Sequence, residues 1–311
     1  MEDLRDILIK KILKYSKEKS KTFFLDCDVG KHTRLENHEV NYMNLGICEQ
    51  NAVSIAAGLS TNKDNIVIVS SFAEFIMGRC WEQIKHSVVY NKSNATIIGT
   101  HSGFSCSEDG ASHQCFEDIA LALLIPEIEV YSPGFEIECE QIAKHISEKS
   151  KTPMYIRLCH GNIQYDTKNM KIFPDYIKRN GKDNTKKLIL STGYITQEVL
   201  KAIEELEKLG LSVDLIHIGR FRPINETNIV EELKEYKKII IVEEHALIGG
   251  LNNFINNLCI KYRLNIDIIN IYVRDGFGQS GNLDDLRKKA KIDYSTIINI
   301  VKKLENKKSD K

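Results

Sequence analysis

Residues 65–100 read NIVIVSSFAEFIMGRCWEQIKHSVVYNKSNATIIGT. The run Asn65–Ser70 is almost wholly β-branched and follows a polar turn-rich stretch, so it reads as a strand buried on both faces. Ala95–Thr100 has the same character. Between them, Phe72–Tyr90 carries apolar residues at helical spacing and is long enough for several turns. A strand, a helix and a second strand in that order form a parallel crossover unit, because antiparallel neighbours need only a short hairpin.

The same rhythm extends in both directions. Strands are expected at Lys21–Leu25, Glu127–Tyr131 and Pro153–Leu158, with helices over Ile47–Ser60 and Cys115–Leu124. Residues 163–186 break the rhythm: they are polar, carry Pro174 and Gly181, and read as a linker. A second α/β set follows, with strands at Lys187–Ser191, Ser212–His217, Lys238–Glu243 and Asn265–Tyr272. The expected architecture is therefore α/β, with two doubly wound domains at 1–162 and 187–311.

Composition narrows the function. The chain has 311 residues, with 43 basic and 43 acidic side chains and a formal net charge of zero. That balance lacks the basic excess of a nucleic-acid binder and the cationic face of a membrane-surface protein. No stretch reaches the ~18 consecutive apolar residues of a membrane span. The eight cysteines form no C-x-x-C and read as reduced cytoplasmic thiols.

Three segments of the first half could carry chemistry. In Asn44-Leu-Gly-Ile-Cys-Glu-Gln-Asn51, Glu49 falls in the first turn of a helix. There a carboxylate is either simple helix-end chemistry, worth about 0.3–1 kcal/mol, or a buried acid placed to hold or give a proton. In Ser70-Ser-Phe-Ala-Glu-Phe75, Phe72 and Phe75 stand three apart and would share a helix face, as core packing or as a platform for a flat ring. The third is the polar loop after Ala95–Thr100, with His101, Asp109 and His113. Polar loops at the carboxyl end of a strand are where function concentrates, and a histidine pair suits substrate binding and proton transfer. The spacings of His101, Cys106, His113 and Cys115 do not fit structural zinc sites, and no metal ligand is assigned. Gly276-Phe-Gly-Gln-Ser-Gly281 fits G-x-G-x-x-G, but no βαβ unit with a distal acid follows it, so it is not read as a dinucleotide site.

Together these segments resemble the transketolase family. Asn44–Asn51 resembles N-x-G-I-x-E-Q-N, Phe72 and Phe75 resemble the paired phenylalanines, and Gly99–Gln114 resembles G-T-H-x-G-x-x-x-x-E-D-G-x-x-H-Q. Val242-Glu-Glu-His245, Gly249-Gly250 and Asp275–Gly281 look like the family's C-terminal domain. The resemblance implies a pyrimidine-binding domain followed by a transketolase C-terminal-like domain. The sequence has no G-D-G, the mark of the domain that grips the cofactor's diphosphate through magnesium, so it resembles the small subunit of a split transketolase.

That likeness implies thiamine diphosphate as cofactor, with Mg²⁺ held mainly by a separate large subunit. It implies transfer of a two-carbon ketol unit between sugar phosphates in the pentose phosphate pathway, by a cytoplasmic heterotetramer whose small subunits pair. Glu49 would bond N1′ of the aminopyrimidine, and Phe72 and Phe75 would flank the ring. Asp28 in Asp26-Cys-Asp-Val29 would lie near the cofactor. His101, Asp109 and His113 would bind sugar hydroxyls and move protons. Where many relatives carry a phosphate-binding Arg, this chain has His160, only partly charged at neutral pH and without a bidentate fork. The competing expectations are a deoxyxylulose-phosphate-synthase-like protein, a 2-oxo-acid dehydrogenase beta subunit, or a non-catalytic assembly partner.

Overall fold

The structure, a computed structural model, describes residues 2–309 except 17, 19–20, 149–151 and 183–184, with side chains described up to 305. The first domain is built on strands β1 (Thr22–Asp26), β2 (Asn41–Asn44), β3 (Ile66–Phe72), β4 (Thr96–Thr100), β5 (Glu129–Tyr131) and β6 (Met154–Arg157). They lie parallel in the order β5-β6-β4-β3-β1-β2. β3 and β4 are buried along nearly their whole length, as strands covered by helices on both faces must be.

Register brings the strand ends together. Asp26 pairs with Asn44 and with Ser70, and Phe72 pairs with Thr100. The segments that leave these carboxyl ends (Asp28, Gly46–Glu49, Phe72–Phe75 and His101) therefore emerge along one edge. In a parallel sheet that edge is where ligands bind.

Two expectations about this region need correction. The helix expected from Phe72 starts later: Phe72 closes β3, and the chain then winds in wide turns over Glu74–Arg79 and Ile84–Tyr90. Such i→i+5 turns are uncommon and cluster at functional sites. The sequence reading also passed over the helix Leu4–Tyr15, capped by the Asp3 carboxylate and packed on Glu136–Ser147. Its apolar residues Leu4, Ile7, Leu8 and Ile12 are buried.

The stretch expected as a linker contributes structure. β7 (Lys171–Ile172) and β8 (Ile177–Arg179) form a hairpin on the edge of the second sheet. That sheet continues through β9 (Lys187–Ser191) and β10 (Asp214–His217). Then β11 (Arg220–Arg222) leaves it and pairs antiparallel with β5 of the first domain. β12 (Lys238–Ala246) and β13 (Asp267–Val273) complete the second sheet, in the order β13-β12-β9-β10-β8-β7. Its polar sequence hid the hairpin because Lys171 and Ile172 lie on an exposed edge, where no hydrophobic alternation is required.

Charged groups buried between the domains bind them further. Arg157 donates from Nε to both carboxylate oxygens of Asp118 at 3.0 Å, and from Nη2 to the Glu244 carbonyl at 2.8 Å. The fully buried His217 of β10 meets the Glu138 carboxylate at 3.1 Å. All eight cysteines are free thiols. No helix among the described residues is long and apolar enough to cross a membrane.

Candidate active site

Glu49 is the first residue of the helix Glu49–Leu59, and Cys48 before it provides no side-chain cap. The carboxylate thus sits at the positive end of the helix, where unpaired backbone N–H groups favour negative charge. Only 4% of Glu49 is exposed. The following turns bury Ala52, Val53, Ala56 and Ala57, and these small side chains let the helix lie close against the sheet. The ion-pair partner of Glu49 is Arg79, whose Nη1 lies 3.3 Å from Oε2 and whose guanidinium covers the Phe75 ring at 4.1 Å.

Phe72 and Phe75 sit on different elements yet stack, with centroids 5.8 Å apart and planes inclined by 21°. The wide turn after β3 brings Phe75 round beside the last strand residue. His113 packs its edge against Phe75 at 4.9 Å, and His101 tilts over Phe72 at 4.3 Å. His160 lies 5.3 Å from His101. The structure thus gathers Glu49, Phe72, Phe75, His101, His113 and His160, contributed by the carboxyl edge of the first sheet.

Two further members were not found from sequence. Arg5 is buried, held by the Asp3 carboxylate at 2.8 Å, and donates to the His32 carbonyl at 2.6 Å. Its Nη1 lies 3.0 Å from His101 Nε2. The His32 ring packs at 5.8 Å from His101 and 5.9 Å from Phe72. Neither has a spacing signal: Arg5 looks like one more charge at the start of an amphipathic helix, and His32 lies in a short polar turn.

These contacts set the state of His101. Arg5 is always a donor, so Nε2 must accept. Thr100 Oγ1 donates to the Ser71 carbonyl at 3.3 Å and accepts from His101 Nδ1, 3.1 Å away. The ring is therefore neutral with its proton on Nδ1. Burial, then the charge of Arg5 and the nearby His160 and His32, push its pKa down to about 2. Burial and Arg5 also push His160 down. His113, by contrast, has its Nδ1 beside the Ser112 hydroxyl at 2.9 Å and is half-buried.

Asp28 and Asp109 stand apart from the rings. Asp28 is exposed, adopts φ 66° and accepts from Asn44 Nδ2 at 3.0 Å. The buried acid of that segment is Asp26, bonded to the Val29 amide and the Tyr42 hydroxyl. Asp109 ends the tight turn Phe104–Asp109, is exposed, and makes no hydrogen bond or ion pair among the described residues.

The loop that carries His101 and His113 is pinned at both ends. Gly103 pairs with Cys115 in an isolated bridge. Gln114 Nε2 reaches the Ser107 carbonyl at 3.2 Å and the Gln279 carbonyl of the second domain at 2.9 Å. This accounts for Gly276–Gly281: a Cβ on Gly278 would fall 1.8 Å from Gln114 Oε1, so the glycine permits close docking of the two domains. Among the described residues, three donors of metal-binding type converge within 4.8 Å: Glu74, Cys115 and Glu117. Burial drives the Cys115 thiol well up, which keeps its proton on the sulfur.

The cluster is a buried carboxylate joined through Arg79 to two stacked aromatic rings, with imidazoles packed on the same rings, a set whose chemistry suits a flat heteroaromatic ring. A 240 Å³ cavity between Phe104, Phe116, Phe277 and Leu286 contains none of these residues. Ile47, two residues before Glu49, is 76% exposed.

The family model "Transketolase, pyrimidine binding domain" matches residues 7–165, and "Transketolase, C-terminal domain" matches 176–297. A protein of Methanocaldococcus jannaschii named for the C-terminal section of transketolase is 32% identical over 295 residues, 92% of this chain and 91% of that protein. A 6-deoxy-6-sulfo-D-fructose transketolase subunit of a Clostridium species is 25% identical, covering 98% and 95%. Among solved structures, a split gene transketolase described as an inactive beta4 tetramer superposes with a TM-score of 0.78 at 28% identity, over 97% of each chain.

Proposed function

The chain belongs to the transketolase family, and on that premise we propose that it is the catalytic small subunit of a two-chain, thiamine-diphosphate-dependent transketolase. One observation carries the reading: the buried Glu49 carboxylate stands at a helix start and pairs with Arg79, whose guanidinium lies over Phe75, itself stacked on Phe72 beside the histidine cluster. When bound, thiamine diphosphate supplies the nucleophilic carbon that carries a two-carbon unit. Every other task falls to side chains.

Glu49 would hydrogen-bond N1′ of the pyrimidine from a helix end that favours its charge. Phe72 and Phe75 would hold the ring by apolar contact. Arg79 must yield its hold on Glu49, or share it, when a ring occupies that space. His113, on the rim of the platform, is the histidine placed to accept and return a proton during sugar cleavage. His101, with both nitrogens engaged, acts as a neutral polar wall, and with His160 it faces the sugar. Asp28 and Asp109, both exposed, would meet ligand only in the assembled complex.

The diphosphate and Mg²⁺ fall to that second chain, a large subunit with the G-D-G motif. The exposed Ile47, two residues before Glu49, supports a partner at this edge. We propose a cytoplasmic heterotetramer of two small and two large subunits, consistent with two-fold assembly and with eight unpaired thiols. The test is a coupled assay with xylulose 5-phosphate, ribose 5-phosphate, thiamine diphosphate and Mg²⁺, run on this chain alone and with the large subunit. Activity in the mixture alone is expected. A complex that binds the cofactor but never transfers a two-carbon unit from any ketose phosphate would defeat the proposal.

A further inference from the structure

Among the described residues the second domain adds no ring or acid to the site, yet it holds the loop that carries His101 and His113. Glu244 lies on β12 and is 2% exposed. Its Oε1 accepts from the Phe104 amide at 2.7 Å, and its Oε2 accepts from Arg287 Nε at 2.7 Å. Its own carbonyl accepts from Arg157 of the first domain. Phe104 is three residues beyond His101, at the point where the loop turns back toward His113. Gly103, with φ 64°, lies so close that a Cβ there would stand 2.3 Å from Glu244 Oε1.

Stability alone is a poor reason for such an arrangement. Burying a carboxylate and a guanidinium costs several kcal/mol per ion before their attraction returns it, and an apolar pair of equal volume often does as well. Arg287 is also buried with Nη2 unpartnered among the described residues. The carboxylate does one thing an apolar side chain cannot: it fixes a backbone amide of the active loop from another domain with a short, charge-assisted hydrogen bond.

We infer that Glu244 is a positioning residue, through which the C-terminal domain sets the loop bearing His101 and His113 against the Phe72–Phe75 platform. Arg287 holds the carboxylate in place, and Gly103 makes room for it. The inference rests on the proposed reading of that loop as catalytic. It gives the C-terminal domain a role in turnover without a ligand of its own.

The test uses the assembled complex and two double variants that both remove the buried charges. Glu244→Gln with Arg287→Met keeps an acceptor for the Phe104 amide, and Glu244→Leu with Arg287→Met does not. Hydrogen exchange of amides 102–110 and kcat/KM are read on each. The leucine variant should exchange at least tenfold faster over 102–110, with the rest of the first domain unchanged. It should lose at least 30-fold in kcat/KM, mainly in kcat. The glutamine variant should stay within about threefold of the parent in both.

Equal behaviour of the two variants, or a rise in exchange spread over the whole domain, would overturn the inference. If the leucine variant does not fold, Glu244→Met with Arg287→Met removes the same acceptor with a more adaptable side chain and should give the same local exchange and kcat loss. An inactive parent complex would sink the functional reading, while the exchange comparison would still decide the role of Glu244.

Discussion

Replacing His101 by asparagine should change how stability depends on pH, by an amount the structure sets. The folded ring is held neutral between Arg5 and Thr100, with its pKa near 2. An unfolded histidine titrates near 6.5. As pH falls through 6.5 the unfolded chain takes up a proton that the folded chain refuses. The stabilising contribution is therefore complete above that pH and is lost below it. The slope approaches about 1.4 kcal/mol per pH unit, giving a loss of about 2–3 kcal/mol by pH 4.5. Asparagine tolerates the positive φ at this position (53°) and does not titrate. Urea unfolding at pH 7.5, 6.5, 5.5 and 4.5 should show the parent losing stability more steeply than His101→Asn by that amount. His160, also depressed, remains in both proteins and cancels. Parallel curves would mean that folded His101 takes up a proton over the same pH range as unfolded histidine, and that Arg5 and Thr100 do not hold the ring neutral.

Glu49→Gln keeps the shape of a buried side chain and removes its proton chemistry. Activity of the complex should fall at least 10³-fold while the thermal unfolding midpoint stays within a few degrees; near-parental turnover would refute the role given to Glu49. Asp118→Asn leaves the guanidinium of Arg157 buried with its counter-charge gone. It should lower unfolding free energy by about 3–5 kcal/mol, read as a drop in urea midpoint, and a loss under 1 kcal/mol would show that the Glu244 carbonyl suffices.

Much of the architecture was open to a reading of local pattern. The alternation from Asn65 to Thr100 announced a parallel crossover because buried strands and amphipathic helices differ in period. Glu49 at a helix start was legible from the glycine and small residues around it. Less legible was how Phe72 and Phe75 meet. Spacing placed them on one helical face, whereas a strand end and a wide turn bring the rings together. The hairpin of β7 and β8 escaped notice because an exposed edge imposes no pattern.

Sequence by itself determined the family, the two α/β domains, and the residue types gathered at the carboxyl edge of the first sheet, because each leaves a local signature of period, turn chemistry or motif. Tertiary structure alone decided that the His101 ring is held neutral, with both nitrogens engaged. Arg5 reaches His101 across 96 positions, and Glu244 reaches Phe104 across 140. Such partners share no period and no spacing. They become neighbours only when the sheets and the buried ion pairs between them have formed, and it is those neighbours that hold His101 neutral and the active loop in place.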